Sequence, residues 1–194
     1  MKNENPLLKK YVLPPFDKIQ VQHIELAIDK TLQENKKELE NLLENTKYYT
    51  WDNFFQKIEN MEDRLHQVWS PVNHLHSVAD NEELRVVYNN CLTKLSNYST
   101  ELGQNVNLFI AYNNFLKDSS FKKLSIAQQK IINNTIRDFR LTGVNLDKKS
   151  KNIYKTIQNK LSELQTKFEE NLLDATHAWK KHITDKDSLA GIPE

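Results

Sequence analysis

The chain has 194 residues, enough for one domain or for one lobe of a larger body. Its 27 basic and 26 acidic side chains leave a net charge of +1, which excludes the basic excess that a nucleic-acid or anionic-membrane binder uses to hold its partner. With 3 Gly and 5 Pro against 38% apolar and 27% charged residues, the composition excludes turn-dense sandwiches and barrels and favours long helices with wet outer faces.

The first segment, residues 1–20, contains Leu13-Pro14-Pro15-Phe16. Adjacent prolines fix φ and remove two N–H donors, so it should be extended, with Phe16 and Ile19 anchoring it to the helices that follow. From Val21 to Asn45, the residues Val21, Ile24, Ile28, Leu32, Leu39, Leu42 and Leu43 recur at helical spacing. Thr50 is placed to cap a second helix, with Asp52 in its first turn, where the helix dipole favours an anion. Its apolar face is Phe54, Ile58, Met61, Leu65, Val68 and Trp69, and Ser70-Pro71 should break or kink it.

Asp80-Asn81-Glu82-Glu83 opens a third helix whose stripe is Leu84, Val87, Cys91, Leu95, Tyr98 and Leu102, with Gly103 near its end. A shorter helix covers Val106 to Leu116. Ser125-x-x-Gln128 is a capping box that starts a helix with Ile132, Ile136 and Phe139 inward, closed by Gly143 at the C′ position. Asp147 begins the longest helix, expected to reach about His182, striped by Ile153, Ile157, Leu161, Leu164, Phe168 and Leu172. No window alternates as a strand would. The fold class is all-α, an array of six to seven helices over residues 21–183. Residues 184–194 turn out of the last helix, and Pro193-Glu194 read as the first positions of another, so the chain is expected to be cut from a longer polypeptide.

Catalytic chemistry is missing from this pattern. Zinc hydrolysis commonly uses His-Glu-x-x-His, because residues i and i+4 share a helix face. The histidines are His23, His66, His74, His76, His177 and His182, and no two are four apart. His74 and His76 point to different sides of a helix, and His177 and His182 are five apart. Asp174 and His177 are spaced to pair structurally, with no nucleophile beside them. Cys91 sits on an inward stripe and should behave as a small buried apolar group. Being the single cysteine, it forms no internal disulfide. Trp51, Trp69 and Trp179 are read as core or inter-lobe packing residues. No residue is assigned a catalytic, cofactor-binding or metal role. No leader-like or membrane-length apolar run occurs, so a cytoplasmic location is expected, without nucleic-acid or membrane partners.

An ordered series of segments nevertheless resembles one family. These are Leu13-Pro14-Pro15-Phe16 with Ile19 and His23; Tyr49-Thr50-Trp51-Asp52-Asn53; Ser70-Pro71-Val72-Asn73-His74-Leu75; Leu84-Arg85; Leu95-Ser96 with Tyr98-Ser99-Thr100; and Arg137-Asp138-Phe139-Arg140-Leu141-Thr142-Gly143. Leu161-Ser162-Glu163-Leu164, Leu172-Leu173-Asp174-Ala175-Thr176, Ile183-Thr184-Asp185 and Leu189-Ala190-Gly191-Ile192-Pro193-Glu194 complete it. Together they resemble the N-terminal part of oligopeptidase A-type members of the thimet oligopeptidase family of zinc metallopeptidases, more than they resemble the dipeptidyl carboxypeptidases.

The resemblance implies a fragment of a two-lobed, helical zinc metalloendopeptidase that admits short peptides through a deep channel. Zinc would be held by a His-Glu-x-x-His helix and a later glutamate, neither of them in these residues. The chain itself would be inactive scaffold and channel wall, its partners being the catalytic lobe of the same polypeptide and oligopeptide substrates. An exposed apolar face is then expected where that lobe packs. The rival from another class is a free-standing helical interaction module with no peptidase activity.

Overall fold

The computed structural model describes residues 5–191, and among them it holds six α-helices and no strand. They are α1 (Val21–Asn45), α2 (Gln56–Val78), α3 (Glu82–Gly103), α4 (Val106–Lys117), α5 (Ile126–Leu141) and α6 (Lys148–Ala178). The all-α array read from the sequence is what forms. No helix among the described residues is long and apolar enough to cross a membrane.

The N-terminal segment is held by Leu7 rather than by Phe16. Leu7 lies in a short 3-10 turn (Pro6–Leu8) and is buried, whereas Phe16 stays 38% exposed with its ring 5.2 Å from that of His74. Ile19 packs as expected against the neighbouring core. Asn5 fixes the turn twice, accepting from Leu7 N–H (3.0 Å) and donating through Nδ2 to the His23 carbonyl (2.6 Å).

Two apolar cores lie along α1 and α2, which run antiparallel. Leu39 and Leu42 at the far end of α1 join Phe54, Phe55, Ile58 and Met61, residues from α4 and α5, and Val144. Ile24, Ala27, Ile28 and Leu32 at its near end join Leu7, Leu65, Val68, Val72 and α3. Buried Asn35 sits between them without stranding a polar group: its Nδ2 donates to Met61 O (3.0 Å) and its Oδ1 accepts from Arg64 (2.6 Å).

Thr50 caps the second helical stretch through Asn53 N–H (3.2 Å), but the first turn, Trp51–Phe55, is a π-turn. The wider turn turns both Phe54 and Phe55 inward, each 0% exposed, whereas the α-helical period selects only Phe54. Downstream, α2 runs from Gln56 to Val78 without a break at Pro71. The ring still removes one helical hydrogen bond. Pro71 is buried, with Pro6, Leu7, Pro14 and Pro15 lining the same cleft, so tertiary packing overrides the local cost.

Gly103 ends α3 where a Cβ would come within 2.6 Å of the Thr142 side chain, so glycine permits the close approach of the α3 and α5 termini. The capping box of α5 forms as read: Ser125 Oγ accepts from Gln128 N–H (3.3 Å) and Gln128 Oε1 from Ser125 N–H (3.0 Å). The same helix closes in a Schellman motif, with Gly143 N–H on Arg140 O (3.1 Å) and Val144 N–H on Phe139 O (3.0 Å). Gly143 has φ +84°, and a side chain there would run into Leu146. Gly143→Ala is therefore expected to cost about 1–2 kcal/mol in urea denaturation, whereas Gly191→Ala, also at positive φ but with nothing nearby, should cost less.

Asp147 caps α6 through Ser150 N–H (3.0 Å). The helix ends at Ala178, four residues short of the expected His182, and Trp179 is already extended. Among the described residues its last side-chain hydrogen bonds to α3 are made by Asp174. The helix start expected at Pro193-Glu194 lies outside the described residues.

Candidate functional site

The long helix α6 docks by its polar side. Running antiparallel to α3, it donates from Lys151 Nζ to Gln104 O (3.3 Å) and pairs Lys155 with Glu101 (3.3 Å). Asn159 accepts from Ser96 Oγ (2.8 Å) and donates to Asn97 Oδ1 (3.2 Å). Glu170 accepts from Asn89 (3.0 Å), and Asp174 takes both ends of the Arg85 guanidinium (2.6 and 3.2 Å). Thr166 is the one buried residue of the described helix.

The apolar stripe predicted for α6 consequently faces away from its own lobe. Leu164 is 51% exposed, Leu172 58% and Phe168 69%, and Ile153, Ile157 and Leu161 are similarly bare. Trp179 extends the face at 72% exposure. An apolar stripe of this length turned to water marks a surface meant to be covered.

Beside that stripe, α2, α3, α5 and α6 enclose a groove of about 720 Å³, to which α4 contributes Leu108 and Tyr112. Trp69, Leu95, Tyr98 and Tyr112 give it apolar and aromatic walls, and Leu161 belongs both to the groove and to the bare stripe. Glu59, Glu62 and Asp138 line it, and no Lys or Arg does. Desolvation raises both the Glu59 and the Glu62 carboxyl, and Glu59 adds charge repulsion to Glu62. Glu62 is open to water at the groove mouth, while Glu59 is half-buried. The same two carboxylates, after burial itself, push the Tyr112 hydroxyl upward. The sequence reading missed this groove, because its walls come from five helices, most of them distant in the chain.

The residues weighed for chemistry are dispersed. His74 is exposed and His76 is buried, on different sides of α2. His76 stacks on Tyr88 at 3.9 Å and 5°, with Nε2 3.9 Å from Asp80 and from Glu170, where α2, α3 and α6 meet. Asp174 pairs with Arg85 rather than with His177, since a bidentate guanidinium satisfies both carboxylate oxygens. Cys91 is 0% exposed, and burial pushes its thiol up to about 12, against thiolate chemistry. Trp51 packs on the core and donates to Gln56 (2.9 Å), and Trp69 stacks on Tyr88 at 4.8 Å. Among the described residues, no three of His, Cys, Asp and Glu gather as a metal site.

The α6 seam is acid-sensitive by construction. Arg85 holds the Asp174 carboxyl below its ordinary range, and Lys36 and Lys155 do the same for Glu101. A carboxylate whose pKa is depressed in the folded chain stabilises it above its unfolded value, about 4, and loses that contribution as pH falls through the folded value. Amide exchange along α6 is therefore expected to accelerate below about pH 4 before α1 responds, as hydrogen–deuterium exchange at stepped pH would register.

The family profile for the Neurolysin/Thimet oligopeptidase, N-terminal domain, matches residues 28–151. The chain is 42% identical over its whole length to oligopeptidase A of Haemophilus influenzae, covering 28% of that protein. It is 40% identical over 98% of its length to oligopeptidase A of Escherichia coli, again 28% of that protein. Against the probable cytosolic oligopeptidase A of Arabidopsis thaliana it is 32% identical over 98% of its length, 27% of that protein. The chain thus spans little more than a quarter of these relatives, and its match is to their N-terminal portion. A strand-free helical lobe, the ordered motifs and the profile match converge: the chain belongs to the neurolysin/thimet oligopeptidase family, as its N-terminal domain.

Proposed function

We propose that this chain is the N-terminal scaffold of an oligopeptidase A-like zinc metalloendopeptidase that hydrolyses short peptides in the cytoplasm. The segment ahead of α1 ties down the lobe's edge through Leu7 and Ile19, residues 21–183 form the lobe and wall the peptide channel, and the residues that follow lead to the catalytic lobe. The observation that carries this reading is the inverted docking of α6. Its polar face is spent on α3 while its apolar face, from Ile153 to Trp179, is left for a second body. The relatives' additional length supplies such a body.

The residues of this chain do not fit the family's zinc. His74 and His76 diverge, and the acids nearest His76 are 3.9 Å from Nε2 and committed to Arg85 and Asn89. In this proposal the metal, and the Lewis-acid chemistry it supplies, belong to the catalytic lobe, and this chain contributes shape and support.

The test uses a quenched fluorescent peptide. The purified chain is expected to give no zinc-stimulated cleavage. A chimera in which it replaces the matched N-terminal portion of the H. influenzae relative should cleave. Chelator-sensitive cleavage by the chain alone, or a folded but inactive chimera, would overturn the proposal. Genomic sequence continuing in frame past codon 194 to His-Glu-x-x-His would support it, and a stop codon there would favour the free-standing module.

A further inference from the structure

We infer that the acidic groove between α2, α3, α5 and α6 is the seat of an apolar segment of the catalytic lobe that carries one Lys or Arg, whose cation sits between Glu59 and Glu62. This rests on the reading above, in which that lobe covers α6, and it adds where the contact is charged and with which sign.

Three observations support it. The groove is continuous with the bare face, because Leu161 belongs to both, so a body laid on α6 reaches the groove mouth. Its walls mix polar side chains such as Ser99, Thr135 and Gln158 with an aromatic and aliphatic part, Trp69, Leu92, Leu95, Tyr98 and Tyr112, which suits an apolar side chain or a cation's methylene stem. Its lining carboxylates are Glu59, Glu62 and Asp138; Asp138 is paired with Arg137, and the charge on the other two is unmatched. Neither Glu59 nor Glu62 makes a hydrogen bond or ion pair with any described residue, although ten other acidic residues are paired across the lobe. Arg64, two residues on from Glu62, is committed to Asn35 and Glu38.

Two carboxylates one turn apart repel each other, and the Glu59 charge adds to desolvation in raising the Glu62 carboxyl. In the free chain this arrangement only costs stability. An incoming cation would reverse that sign.

That reversal is the test. Glu62→Gln is placed in the free chain and in the H. influenzae chimera, and Tm is measured for both. In the free chain Tm should stay level or rise, because an unmatched charge has been removed. In the chimera Tm should fall, because the partner cation is stranded, and Glu62→Asp should recover at least half of the loss. Leu161→Asp with Phe168→Asp in the chimera is the control for lobe docking itself. If the control lowers the chimera's Tm while Glu62→Gln shifts both proteins alike, the inference is wrong and the underlying reading stands. If the control also leaves the chimera unchanged, the reading falls with it. Should Glu62→Gln instead convert a sedimenting dimer of the free chain to monomer, the occupant is a second copy and the inference is overturned.

Discussion

Phe55→Ala is expected to lower the unfolding free energy of the chain by about 3–5 kcal/mol, whereas Phe168→Ala should change it by less than about 0.5 kcal/mol. Phe55 is fully buried, 4.5 Å from the ring of Phe115, 4.8 Å from Tyr112 and 5.2 Å from Phe54. Truncation leaves a cavity among rings held from α2 and α4, which cannot close without moving two helices. Phe168 is as large, but it is 69% exposed on the outer face of α6 and loses nothing on removal. Urea denaturation of both variants decides the point. Equal losses would mean that α6 buries its stripe within this lobe, contrary to the geometry. For a protein whose stability is of the usual 5–15 kcal/mol, the Phe55 variant will be close to its folding limit.

Arg85→Leu should be the most damaging single change at the α6 seam. Arg85 bridges Asp80, whose side chain is 4% exposed, to Asp174 on α6. Removing the guanidinium leaves Asp80 buried without a cation, beside His76 Nε2 and with its Oδ1 already lacking a hydrogen-bond partner. Stranding one member of a buried pair costs about 3 kcal/mol. Loss of the Asp174 contact should also free the last turns of α6. Hydrogen exchange would separate the two effects: protection is expected to vanish first over residues 167–178, then to fall across the α2–α3 corner. Arg85→Lys should recover only part of the stability, because an ammonium cannot serve two carboxylates with a planar fork.

Much of the fold was legible because local chemistry and tertiary structure agree. The α1 boundaries, the Ser125–Gln128 box, the inward trio Ile132, Ile136 and Phe139, and Gly143 at C′ are fixed by spacing or by φ, and all appear as read. The misreadings share a cause. Periodicity reports that a helix has an apolar side, not what covers it, so the α6 stripe was visible while its exposure followed only from the expected missing lobe. Pro71 was read as a break because the rule is local, yet the residue is buried under the N-terminal turn. Phe55 and Tyr88 were overlooked because a π-turn and a stacked His76–Tyr88 pair depart from the simple stripe. The acidic groove could not be seen at all, since Glu62, Tyr98, Tyr112 and Leu161 meet only after folding.

One apolar core has its last buried member at Tyr98 and the other at Val144, and the 31 residues of α6 add one buried side chain to the lobe. A nascent polypeptide has therefore delivered every described member of the two core clusters before α6 leaves the ribosome, and early compaction need not wait for that helix. The last helix then works as a strap with a wettable inner side: water can stand in for its hydrogen bonds until it closes on α3.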